Sequence, residues 1–550
     1  MDYLTGRTNL NPSKSELDEM NSINAILLAR VVSDLRLEGL LGLPVSYLSN
    51  GQGRRARIAK ALLNRPAVLL LDEPFMGLDP PTVGSLSPLL HSLAEAANPR
   101  LILSARPQDP LPDWITHLVY LTTDCRIGAM GERGKVLDSL RQYVRGVWRG
   151  TKTEDESMPV HALSEMGRTL KKGVIEGEGL AEELAAGERD AEGHTLIDPG
   201  NEGHGEPLVE MNGCVVQYRG KPVLGNWTEE RDGQTVKGLH WTVRRGERWG
   251  VFGPNGSGKT TIVSLLCSDH PQTYSLPIKL FGRSRLPEPG SGKPPLTFWH
   301  IQSRVGHSSP EVHQHMPRSL TIRQVLESAW ADTFRSRPKL DQESKDQVKA
   351  TLRWFARELN PERSSQTLQS LVAPTRDQSL KWADEYMFGE LSFSAQRILL
   401  FLRAIIKHPD IVVLDEAFSG MDDAVRDKCM LFLAYGEEKT FGPINVNSKN
   451  KFRHTELPVV DSPVKLKGTV KVTGLSDKQA LICISHLKEE VPDCVREWLC
   501  LPEAETGLPA RFGRLDGPLR TNYKGWRKIW GAETSNGSDR QKETAQNSAS

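Results

Sequence analysis

Two stretches of the chain carry long apolar runs of the same shape, "AVLLLDE" (67–73) and "DIVVLDE" (410–416). A continuous apolar run that ends in two carboxylates, with no alternation of polar residues, predicts a strand buried on both faces. Before each run lies a helical pattern opened by a serine at an N-cap position, Ser49 and Ser392. After each comes a further helical stretch, then a second apolar strand beginning "LIL" at Leu101 or "LIC" at Leu481. Strands alternating with helices in this way predict α/β architecture with a mainly parallel sheet.

The two stretches are copies. "LSNGQGRRARIAKALLNRPAVLLLDEPFMGLDP" from Leu48 aligns without a gap on "LSFSAQRILLFLRAIIKHPDIVVLDEAFSGMDD" from Leu391. The alignment sets Asp72 on Asp415 and Asp79 on Asp422. "LILSARPQDPLPDWITHLVYL" from Leu101 aligns equally well on "LICISHLKEEVPDCVREWLCL" from Leu481. One domain is therefore present twice. Residues 151–206 between the copies hold 14 acidic and 5 basic residues and read as a solvated linker. An insertion at about 440–478 and a polar tail over 516–550 read as flexible.

Composition adds mainly exclusions. With 550 residues, 25% charged and 38% hydrophobic, the chain is long enough for two or more ordinary globular domains. A net charge of +1 gives no global attraction to nucleic acid or to an anionic membrane. The 7 cysteines form no C-x-x-C pair, as expected of free thiols in a reducing compartment. No apolar run reaches the roughly 18–20 residues of a membrane span, and the first residues lack the apolar core of a secretory signal. These features predict a soluble, intracellular protein of the cytosol or the mitochondrial matrix, without direct membrane insertion and without a nucleic-acid partner.

The candidate chemistry lies in the second copy, where "WGVFGPNGSGKTTIVSLL" satisfies G-x-x-x-x-G-K-[ST]. An apolar strand precedes the loop and a helix follows it. Glycines let backbone N–H groups turn inward around an anion, and the helix adds its positive end. Gly253, Pro254, Asn255, Gly256, Ser257, Gly258, Lys259, Thr260 and Thr261 are thus the candidate nucleotide-binding residues. Lys259 is expected on the β/γ-phosphates and the Thr260 hydroxyl on Mg²⁺. Asp415, at the end of its strand, is placed to hold the same Mg²⁺, and Glu416 beside it to act as general base toward a water.

A phosphate loop, a signature-like helix start, an apolar strand ending in Asp-Glu, a loop aspartate and a strand ending near a histidine together resemble the ATP-binding cassette (ABC) ATPases. The resemblance covers most of residues 20–140 and 207–515. Within that superfamily the chain is similar to soluble tandem-cassette proteins without a membrane domain, including bacterial molybdate-associated ATP-binding proteins and fungal relatives, some of them mitochondrial. It implies a P-loop NTPase fold in tandem copies: a partial cassette at 1–140 lacking its P-loop lobe, a linker at 141–206 and a complete cassette at 207–515.

It also implies that each nucleotide is sandwiched between the P-loop of one cassette and the signature of the other. Ser49, Asn50, Gly51 and Gln52 would then close over the ATP held by Lys259, with Asp79 at the same seam as the D-loop aspartate. His486 would be the switch histidine, and Tyr218 would stack on adenine. The opposite site has no phosphate loop, and Phe393, Ser394 and Ala395 occupy its signature. Arg106 stands at its switch position. The position where the family has a Q-loop glutamine falls at Ser309 or Pro310. The resulting expectation is MgATP hydrolysis at one composite site, coupled to an unknown protein partner. An ATP-binding scaffold with poor turnover and the ATP-binding subunit of a membrane transporter are the alternatives.

Overall fold

A computed structural model describes residues 25–158, residue 163 and residues 205–530. Excepted are 36, 43–49, 65, 76–79, 96–98, 106–110, 149–150, 154, 156, 219, 232–233, 288–289, 291, 332, 362–379, 443–458, 504–505 and 521. The chain divides into two compact units, Met1–Gly193 and His194–Ser550.

In the first unit, α1 (Ala25–Asp34), α2 (Asn50–Leu63), β1 (Val68–Leu71), α3 (Pro80–Glu95) and β2 (Arg100–Leu103) follow one another. They are succeeded by β3 (His117–Leu121), β4 (Ile127–Glu132) and α4 (Arg133–Trp148). β1 and β2 pair in parallel, and β3 and β4 form an antiparallel hairpin. Leu69 and Leu71 point into a core with Ile58, Leu62, Leu86 and Leu90. The helix α4 extends past residue 140, so the linker expected from 141 begins as structured chain.

The second unit opens with β5 (Pro207–Cys214), the hairpins β6 (Val216–Tyr218)–β7 (Lys221–Leu224) and β8 (Thr228–Arg231)–β9 (Gln234–Lys237), then β10 (Leu239–Arg244). Next come β11 (Arg248–Phe252), α5 (Lys259–Cys267), β12 (Ile278–Leu280), α6 (Phe298–Arg304), β13 (Val305–Ser308) and α7 (Pro310–His315). A helical region follows, with α8 (Ile322–Glu327), α9 (Gln342–Trp354) and α10 (Phe393–Ile405). The remaining main elements are β14 (Ile411–Asp415), α11 (Asp423–Tyr435), β15 (Lys439–Phe441), β16 (Val459–Asp461), β17 (Ala480–Ile484), β18 (Glu497–Cys500), β19 (Arg511–Arg514) and α12 (Tyr523–Trp530).

The central sheet has the order β13-β14-β17-β11-β18-β19, parallel except for β19. Side chains alternate across a strand, and both faces of this sheet are covered. Ile411 and Val413 join Ile482 and Ile484 in one core with Ile262 and Leu266 of α5. Val412 and Leu414 face the other way, with Leu481, into the core built by α8, α9, α10 and α11. That double burial is why both strands read as unbroken apolar runs.

Two stretches read as flexible carry structure. In the tail, α12 presents Trp526, Ile529 and Trp530 on one side; Ile529 is fully buried and Trp526 meets Phe252 edge-on at 5.6 Å between centroids. The flanks of the insertion are held by the β15–β16 pairing and by Glu437, which accepts from the N–H groups of Lys471 (2.8 Å) and Val472 (3.0 Å). Among the described residues, no helix is long and apolar enough to cross a membrane.

Candidate active site

The site is assembled at the C-terminal ends of β11, β14 and β17. β11 delivers the chain into the loop 253–258, where Gly253, Gly256 and Gly258 take φ of +144°, +86° and +94°. A Cβ on Gly253 would come within 2.7 Å of the Leu501 carbonyl, and one on Gly258 within 2.9 Å of the Val223 carbonyl. Backbone conformation and space both require glycine at these two positions. The loop closes on Lys259, a buried side chain whose Nζ donates to the carbonyls of Gly253 and Pro254, each at 2.8 Å. The buried Ser257 hydroxyl has no hydrogen-bond partner among the described residues. An orphaned donor is costly unless something else satisfies it, and inward-turned amides at a helix start suit an anion. Asn255 and Thr261 are half-buried, and Thr260 is exposed at the first turn of α5.

β14 ends in Asp415, which is buried, and the next residue, Glu416, takes a left-handed φ of +48° while its N–H donates to Ile484 of β17 (3.0 Å). The Glu416 side chain lies beside His486, whose Nε2 is 3.4 Å from Oε1. The buried Nδ1 has no hydrogen-bond partner among the described residues. The Ser485 hydroxyl braces the turn, 3.0 Å from the Glu490 carboxylate and accepting from the Leu487 N–H at 3.1 Å.

The two neighbouring carboxyls are pushed apart. Burial, then the charges of Glu416 and Glu311, raise Asp415 well above the usual carboxylate range. Burial acts in the same sense on Glu416, but His486, Lys259 and Arg397 outweigh it and hold this carboxyl below its ordinary value. A carboxyl held low favours its charged form, which is the form that can accept a proton. The donor set of Thr260 hydroxyl and Asp415 carboxylate suits a hard cation such as Mg²⁺, which takes few protein ligands and completes its shell with water and phosphate oxygens. The described residues contain no cluster of three or more His, Cys, Asp or Glu arranged to hold a metal alone.

Comparison with known proteins gives the family. The family profile described as ABC transporter matches residues 2–76 and 236–419. An uncharacterized ABC transporter ATP-binding protein of Schizosaccharomyces pombe is 30% identical over 460 residues, 84% of this chain and 69% of the relative. The chain belongs to the ABC ATP-binding protein family. The ABC transporter ATP-binding protein ModF of Escherichia coli is 29% identical over 429 residues, covering 78% of this chain and 71% of ModF. Among solved structures, an RNase-L inhibitor aligns at 17% identity and a TM-score of 0.43, over 93% of this chain and 73% of that one.

The remaining expected ABC positions fall as follows. Tyr218 ends β6 with its ring about half exposed, and its hydroxyl meets His270. Asn50, Gly51 and Gln52 form the first turn of α2, while Ser49, Asp79 and Arg106 lie outside the described residues. In the second copy, Ser392 does cap α10, accepting from the Ala395 N–H at 3.3 Å, and Phe393 stands exposed in the signature position. Ser309 caps α7 and Pro310 occupies its first turn, so the loop after β13 is a helix start. Sequence reasoning missed Glu311 on that turn and Arg397 on α10, both of which act electrostatically on Asp415. It also missed His270. Each reaches the site from a distant segment, and no local pattern marks it.

Proposed function

We propose that the chain binds MgATP at the second-copy phosphate loop and hydrolyses it, and that the first-copy signature, Ser49 to Gln52, completes the site. One observation carries the reading: Glu416 stands beside His486 at the ends of β14 and β17, next to the strand that enters the phosphate loop. Lys259 would bind the β- and γ-phosphates, and the inward amides of the loop would balance their charge. Thr260 and Asp415 would hold Mg²⁺, which supplies charge neutralisation at the phosphates. Glu416 would take a proton from water as the oxygen bonds to the γ-phosphorus and the bond to the bridging oxygen breaks, leaving ADP and phosphate. His486 would keep the Glu416 carboxylate oriented through Nε2. The closing and opening of the halves would be read by a separate protein partner.

The test is Mg²⁺-dependent phosphate release from ATP, measured beside Lys259→Ala. Turnover by the wild type and none by the variant supports the reading. The loop position expected to carry glutamine falls at Ser309 or Pro310, and neither side chain is an amide, which favours a second reading, an ATP-binding scaffold with little turnover. Tight ATP binding without phosphate release would select it.

A further inference from the structure

The hairpin β6–β7 lies against the phosphate loop at its far end, where Val223 and Leu224 crowd Gly258. Its near end is tied to the exit of α5 by two bonds. His270 is a buried residue three positions past α5, with its Nε2 2.5 Å from the Tyr218 hydroxyl and the rings tilted at 5.5 Å between centroids. The Gln272 side-chain amide donates to the Gln217 carbonyl at 2.7 Å. His270 Nδ1 accepts from the Gln272 N–H at 3.1 Å, so the neutral ring carries its proton on Nε2 and donates it to the Tyr218 oxygen. The tyrosine ring itself stays about half exposed. A rigid, exposed aromatic face on a hairpin that also touches the phosphate loop is what a purine base needs for stacking.

We propose that His270 and Gln272 are positioning residues that clamp the Tyr218 ring as a platform for the adenine of bound ATP, fixing base and triphosphate in one frame. This rests on the nucleotide reading above. The clamp stores no ligand contact of its own. It acts by holding Tyr218 in its binding rotamer before ATP arrives, which removes an ordering cost from binding.

The experiment measures binding of MgATP and of magnesium tripolyphosphate, which lacks the base, to the full chain. Tyr218→Ala is expected to weaken ATP by about fivefold to a hundredfold. His270→Ala and Tyr218→Phe should each weaken ATP by about threefold to tenfold, and the double variant no more than either alone. Tripolyphosphate affinity should stay at the wild-type value in all of them. Unchanged ATP affinity in Tyr218→Phe or His270→Ala, or equal weakening of ATP and tripolyphosphate, would overturn the clamp. Tyr218→Phe removes only the hydroxyl of a half-exposed ring, so it carries the test if His270→Ala does not fold. A wild type that binds neither ligand overturns the nucleotide reading itself, and the clamp with it.

Discussion

The two copies share a framework down to its hydrogen-bond register and differ in what covers it. Val68 pairs with Arg100 in the first copy as Ile411 pairs with Ala480 in the second, the positions the sequence alignment equates. His117 pairs with Glu132 as Glu497 pairs with Arg514. Even the strained residue is kept: Glu73 has φ +43° where Glu416 has +48°. In the second copy β11 sits between β17 and β18. Among the described residues of the first, nothing pairs between β2 and β3, and no equivalent of β11 or α5 is present. The side chains report the consequence. Leu70 is 70% exposed where Val413 is fully buried, and Ile102 is 58% exposed where Ile482 is fully buried. Leu69 and Leu71 on the opposite face stay buried like Val412 and Leu414. Register is thus set by the strands and helices common to both copies, while the phosphate lobe adds one covered face and the chemistry.

The same contrast orders the expected effects of mutation. Glu416→Gln should lower the ATP hydrolysis rate by about 10²- to 10⁴-fold through loss of the general base, whereas Glu73→Gln should leave it unchanged. A steady-state phosphate assay on both variants reads the difference. Chelation of Mg²⁺ with EDTA should stop turnover, with recovery on re-addition of the metal. Ile482→Ala should cost about 2–5 kcal/mol of stability as a buried truncation, and Ile102→Ala within about 0.5 kcal/mol as a surface change. Urea unfolding of the pair tests whether the first-copy face is open in solution. A more local effect concerns Ser104, whose hydroxyl donates to Asp72 at 2.5 Å and accepts from the Glu73 N–H at 2.9 Å. Ser104→Ala should cost about 1 kcal/mol, seen as faster amide exchange around Glu73 without any change in ATP turnover.

Much of this was legible in the sequence because it is local or repeated. The phosphate loop is one contiguous motif, and "IVVLD" and "LICI" read as doubly buried strands because both faces are in fact covered. The tandem alignment carried the register, since a slip of one residue would turn Leu69 and Leu71 out of the core. What escaped is long-range. Tyr218 and His270 are 52 positions apart, and no spacing rule joins them. Glu311 and Arg397 sit at turns of helices whose direction depends on tertiary packing. The tail helix was hidden by its polar composition, although Trp526, Ile529 and Trp530 supply enough apolar surface to dock on Phe252.

The central claim is that one chain has one working nucleotide site, held by the second copy. The most direct measurement is the stoichiometry of a non-hydrolysable ATP analogue bound to the purified chain in the presence of Mg²⁺, for the wild type and Lys259→Ala. The account predicts one analogue per wild-type chain and none for the variant. Two per chain, or one that survives Lys259→Ala, would contradict it.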